Sequence, residues 1–196
     1  MTTQPALLET ERYVAALHAG DYTGHDMAHL ERVRRLAMHL AEGGDVDRLV
    51  LTLAALLHDV EDEKLGREAG LVARHLDTLA LDPNRRAHVL TIIGETSFSK
   101  HRSPSTLESA ILQDADRLDA IGAIGIARTF QFAGSRGTAL YDPNDATSAV
   151  AHFDDKLLRL ADGMHTERAR QIARERHAFM VSFLDRFEAE WTGQDI

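Results

Sequence analysis

The stretch LAALLHDVEDEKLG (53–66) sets His58 beside Asp59 and follows them with Glu61 and Asp62. Imidazole nitrogens and carboxylate oxygens bind divalent cations and move protons. Two other segments carry the same residue types. GHDMAHLERV (24–33) holds His25 and His29, four apart and so on one face of a helix. ILQDADRLDAIG (111–122) sets Asp114, Asp116 and Asp119 among Ile111, Leu112, Leu118 and Ile121. A carboxylate in so apolar a setting is costly to bury unless it is paired or bound to a cation. Adjacent helical residues point about 100° apart. His58 and Asp59 therefore meet one metal only at a helix end, where the ion lies between the two directions. Taken alone, the pair reads as a hydrogen-bonded helix terminus. Three such segments together read as a nitrogen/oxygen metal site.

The elements that must hold these residues are helical. Apolar residues recur at three- and four-residue steps, as in Leu30, Val33, Ala37 and Leu40, and again in Ile172, Phe179, Phe183 and Phe187. The spacing predicts helices near 5–19, 27–42, 46–58, 67–80, 84–95, 106–128, 147–162 and 166–190. No segment alternates in the manner of a strand. Pro83 starts a helix after the LDPN turn. The segments 97–106 and 133–147 read as irregular, the second as the rim or lid of a site.

Composition narrows the function classes. The 196 residues suit one domain, and 44% hydrophobic residues suffice for a core. A net charge of -9 argues against a duplex nucleic-acid surface, which needs a basic field. The absence of cysteine excludes disulfides, thiolate ligands and a thiol nucleophile. No apolar run approaches a membrane span, and the first residues lack a signal pattern. The expectation is a cytoplasmic protein with no membrane partner. Of the eleven histidines, His18, His39, His75 and His165 sit among polar or mixed neighbours and need no function.

HLERV, ALLHDV and DADRLDAIG resemble, in order, spacing and context, the signature segments of the HD-domain metal-dependent phosphohydrolases. IGAIGIARTF, YDP, HFDDKLLRL and ERHAFM extend the resemblance to the small single-domain bacterial branch, some members of which are similar to nucleotide pyrophosphohydrolases. The resemblance implies an all-α, single-domain HD helical bundle over 1–196. Its signature segments are 25–33, 53–62 and 111–122, and the C-terminal helices at 147–190 pack on the same domain. It makes His29, His58, Asp59 and Asp116 the metal ligands. The H-x-x-x-V pattern selects His29 over His25, and the position before RL selects Asp116 over Asp114. Helix geometry agrees with the second choice, because Asp114 lies about 200° from Asp116. Asp114 and Asp119 are then partners of the ligands.

Two imidazoles and two carboxylates suit Mn²⁺, Fe²⁺, Co²⁺, Ni²⁺ or Mg²⁺ without choosing between them, and Zn²⁺ is also compatible. Asp62, four residues from His58, is the better candidate to orient or deprotonate water, with Glu61 the alternative. Arg32, Lys64, Lys100 and Lys156 are the cations expected to bind phosphate, ahead of Arg117 and Arg128. The implied reaction is hydrolysis of a nucleoside or deoxynucleoside triphosphate to monophosphate and pyrophosphate by a metal-activated water. The partner is a small phosphorylated substrate, and a homodimer is left open. A phosphomonoesterase or a guanosine tetraphosphate (alarmone) hydrolase is the alternative, the second because of the acidic HDVEDEK run. Two further classes compete. One is a metal-stabilised regulatory module. The other is a di-iron oxygenase-like protein, which needs extra ligands such as His88 or His152.

Overall fold

The computed structural model describes residues 3–20, 26–62, 65–96 and 102–196. Among them every regular element is helical, so the fold is all-α as expected. No helix among the described residues is long and apolar enough to cross a membrane. The chain forms two compact units, Met1–Ala115 and Asp116–Ile196.

In the first unit, helix α3 (Arg48–Leu57) is the centre. Every residue from Leu49 to Leu57 is buried, the mark of a helix surrounded by others. Helices α1 (Thr3–Leu17), α2 (Met27–Leu40) and α5 (Pro83–Thr96) pack against it. The start of α3 is fixed by its N-cap. The Asp47 carboxylate accepts from the Leu49 and Val50 amides at 3.1 and 3.2 Å, and from Arg85 on α5 at 2.7 Å. Burial pushes the Asp47 carboxyl up, but these amides and the guanidinium together outweigh it and hold it below its ordinary value. On α2, Leu30, Val33, Ala37 and Leu40 are buried as the stripe requires. Helix α4 (Leu71–Thr78) follows Gly70, whose φ of 86° is left-handed and which has no side chain with which to cap the helix. Helix α6 (Leu107–Asp119) begins in this unit.

The second unit departs from the expected helix limits. The helix predicted over 106–128 is two helices, α6 and α7 (Gly122–Arg136). The break falls at Gly122, with φ of 77°. Three residues on, a Cβ at Gly125 would lie 2.2 Å from the Ala120 carbonyl oxygen. The junction is therefore built on glycine. Helix α7 also takes up the first part of the 133–147 stretch and stops at Gly137, again left-handed. The helix predicted over 147–162 is a five-residue helix α8 (Ala151–Asp155) and a 3₁₀ segment, Leu157–Gly163. Helix α9 (Glu167–Thr192) starts where the Thr166 hydroxyl accepts from the Ala169 amide. Its buried line is Ala169, Ala173 and Met180. Phe179 falls one position off that line, about 100° around the helix, and is exposed. Phe183 and Phe187 do pack, in an aromatic cluster with Phe130, Phe153, Tyr141 and Trp191.

Candidate metal centre

Helix α3 ends at Leu57, and His58 is its C-cap. The chain then turns, with the Val60 amide donating to the Leu57 carbonyl at 3.1 Å and the Asp62 amide to the Asp59 carbonyl at 3.2 Å. This is the helix end that lets two adjacent residues meet one ion. An apolar helix delivers His58 and Asp59 rigidly, and its termination aims them together.

His58 Nδ1 lies 2.9 Å from the Ala55 carbonyl oxygen. A carbonyl only accepts, so Nδ1 carries the proton, and the Nε2 lone pair points the other way. The carboxylate of Asp59 lies 3.4 Å from this nitrogen through Oδ1, and 3.1 Å from His29 Nε2 through Oδ2. The two imidazole centroids are 5.4 Å apart. Their side chains are 2% exposed and that of Asp59 10%. All three donors are therefore largely buried.

His29 reaches the set because of Asp26. This N-cap carboxylate accepts from the His29 amide at 2.8 Å and fixes the first turn of α2. An aspartate three residues before the histidine at a helix start is a capping pattern, and a search for ligand types alone passes over it. The same holds for the Ala55 carbonyl, which no residue-type pattern reveals.

The donor chemistry fits a divalent cation. One ligand atom each from His29, His58 and Asp59 lie within 4.8 Å of one another. Metal–ligand bonds of about 2.0–2.2 Å place neighbouring ligand atoms about 3.0–3.5 Å apart. The two nitrogen–oxygen separations, each to a different oxygen of Asp59, fall in that range.

Comparison with known proteins agrees with this geometry. The HD-domain family model matches residues 27–121, which include the three donors. The uncharacterized protein YpgQ of Bacillus subtilis is 40% identical over 191 residues, covering 93% of this chain and 92% of that one. The chain belongs to the HD-domain family of metal-dependent phosphohydrolases. An HD-superfamily hydrolase from Bacillus thuringiensis is 39% identical, with a TM-score of 0.82 over 97% of this chain and 99% of its own. The crystal structure of YpgQ in complex with ADP is 38% identical, with a TM-score of 0.82 over 94% of this chain and 97% of its own.

The other candidate residues fall in several places. Arg32 lies on α2, three residues past His29, and is half-buried. Asp62 follows the doublet in the turn and is half-buried. It does not share a helical face with His58, because the helix stops at Leu57. Glu61 is engaged elsewhere. Its carboxylate accepts the Val72 amide at 2.7 Å and caps α4 in place of Gly70. Asp114 is fully buried on α6. In the second unit, Asp116 is half-buried on α6, and Lys156 is half-buried at the C-cap of α8. There too Arg128 binds the buried Asp119 at 2.6 Å, and Arg117 donates to His165 Nε2 at 2.9 Å. His25, Lys64 and Lys100 lie outside the described residues.

Proposed function

We propose that the substrate is a nucleotide, and that a nucleoside or deoxynucleoside triphosphate is cleaved to monophosphate and pyrophosphate. The convergence of His29, His58 and Asp59 within 4.8 Å carries this reading. A relative 38% identical over nearly its whole length has been crystallised with ADP, which favours a nucleotide. The proposed ligands are these three with Asp116, the last on the strength of the DADRL match. A bound divalent cation supplies Lewis acidity and lowers the pKa of a coordinated water.

The chain's own residues do the rest. Ala55 holds the His58 proton on Nδ1, so Nε2 remains a donor to the cation. Asp59 contributes negative charge between two imidazoles. Asp62 is proposed to orient the attacking water and take its proton. Glu61, already bonded to the Val72 amide, is the weaker candidate for that role. Arg32, Lys64, Lys100 and Lys156 are proposed to balance the phosphate charge.

The test is phosphorus NMR of the reaction with deoxynucleoside triphosphates and Mn²⁺. Pyrophosphate as the first product supports the reading. Orthophosphate with stepwise diphosphate and monophosphate refutes it in favour of a phosphatase. Cleavage of guanosine tetraphosphate alone points to the alarmone alternative.

A further inference from the structure

Arg67 is tied to the carbonyl that immediately follows the His58–Asp59 doublet. Its Nη1 donates to the Val60 carbonyl at 3.3 Å and to His18 Nε2 at 3.1 Å, and its Nη2 donates to the Leu17 carbonyl at 2.7 Å. Leu17 is the last residue of α1, so its carbonyl belongs to the turn that lacks an intrahelical donor. A guanidinium there satisfies the orphan acceptor and suits the negative end of the helix. One planar group thus joins the end of α1 to the turn after α3. The turn is also held by the Val60 and Asp62 amides, by the bond from the Val72 amide to Glu61, and by the fully buried Val60 side chain. Arg67 adds a bond to the Val60 carbonyl, which lies in the Val60–Glu61 peptide, one peptide beyond the one that follows Asp59.

We infer that Arg67 is a positioning residue for the metal centre: it holds the Val60–Glu61 peptide, and through that the turn after α3, so that Asp59 presents its carboxylate between His29 and His58. The inference rests on the metal reading of that cluster. Arginine is needed because its fork spans three acceptors at fixed angles. A lysine nitrogen at this position cannot serve Leu17 and Val60 together in that geometry.

The test is Mn²⁺ binding, read from the electron paramagnetic resonance signal of the free ion, in wild type, Arg67→Met and Arg67→Lys. Melting temperature is measured alongside. Outer partners of metal ligands typically contribute about 10–100-fold in affinity. Arg67→Met should lose affinity within that range, and Arg67→Lys should recover part of it. At saturating Mn²⁺ the substrate KM should stay near that of wild type while kcat falls. Val89→Ala, a core truncation on α5 at a fully buried site, should lower the melting temperature and leave Mn²⁺ affinity unchanged. Equal Mn²⁺ affinity in wild type and Arg67→Met at reduced melting temperature overturns the inference and makes Arg67 a packing residue. If Arg67→Met fails to fold, wild-type affinity in Arg67→Lys overturns it in the same way. Wild-type protein that binds none of Mn²⁺, Fe²⁺, Co²⁺, Ni²⁺, Mg²⁺ or Zn²⁺ refutes the metal reading itself, a distinct result; if another of these ions binds and Mn²⁺ does not, the same comparison is made with that ion.

Discussion

Glu61 and Asp62 are neighbours with the same chemistry, and replacing each should damage a different property. The Glu61 carboxylate accepts the Val72 amide at 2.7 Å at the start of α4, where Gly70 offers no side chain. Glu61→Ala leaves that first-turn amide without its acceptor. A hydrogen bond to a charged group contributes about 1.5–3 kcal/mol, and the partial exposure of Glu61 favours the lower end. For a chain of this size that is a fall of about 3–6 °C in melting temperature. Glu61→Gln keeps an oxygen acceptor and loses the charge–dipole attraction, about 0.3–1 kcal/mol, or about 1–4 °C. Neither change removes the proposed proton acceptor, so turnover should stay within about threefold of wild type. Asp62→Asn should do the reverse. It should keep bound metal and melting temperature and lower turnover by roughly 10²–10⁴-fold, the usual contribution of general acid–base catalysis. The assay is steady-state phosphate release with pyrophosphatase added, beside thermal unfolding and metal analysis of each variant. Turnover lost in Glu61→Gln at unchanged melting temperature, with Asp62→Asn near normal, would refute the reasoning. Metal lost from Asp62→Asn would place Asp62 among the ligands.

Gly125→Ala should destabilise the second unit, because its Cβ would meet the Ala120 carbonyl at 2.2 Å. Overpacking costs about 1–3 kcal/mol, seen as a drop of about 2–12 °C in differential scanning calorimetry; an unchanged melting temperature would show that the α6–α7 junction relaxes freely. Burial holds His75 below its ordinary value of 6.5, against an opposing pull from Glu9. A group with a depressed folded pKa contributes stability that is present above 6.5 and lost as pH falls towards the folded value. Melting temperature should therefore fall as pH drops below 6.5, and fall less in His75→Gln; equal slopes in the two proteins would contradict this.

The sequence carried the helical class and pointed to His29, His58 and Asp59, which the structure brings together, for definite reasons. Long amphipathic stripes such as Leu30–Val33–Ala37–Leu40 have one consistent period, and the structure buries them. His29, His58 and Asp59 stood out because their types and segment order match a known family. What periodicity could not show was where helices break. Gly122 lies inside an apolar run that reads as continuous, and its left-handed φ is a tertiary choice. Local polarity misled in the same way for two histidines that looked unremarkable. His18 and His75 are buried, the first bonded to Arg67 and the second to Thr10, with Tyr13 stacked on its ring at 4.1 Å. Their partners lie 49 and 65 residues away, beyond any local pattern. Glu61 likewise reads as one of a pair of acids until the Val72 amide is seen beside it.

The most direct test of the central claim, that His29, His58 and Asp59 hold a metal on which hydrolysis depends, is the rate of phosphate release by Asp59→Ala. The Asp59 carboxylate lies within 3.4 Å of both imidazoles, so its loss should empty the site without unfolding α3. With Mn²⁺ supplied, the variant should retain near-normal helix content by circular dichroism and show no turnover above the metal-stripped wild type. Wild-type turnover by Asp59→Ala in metal-free buffer would contradict the account.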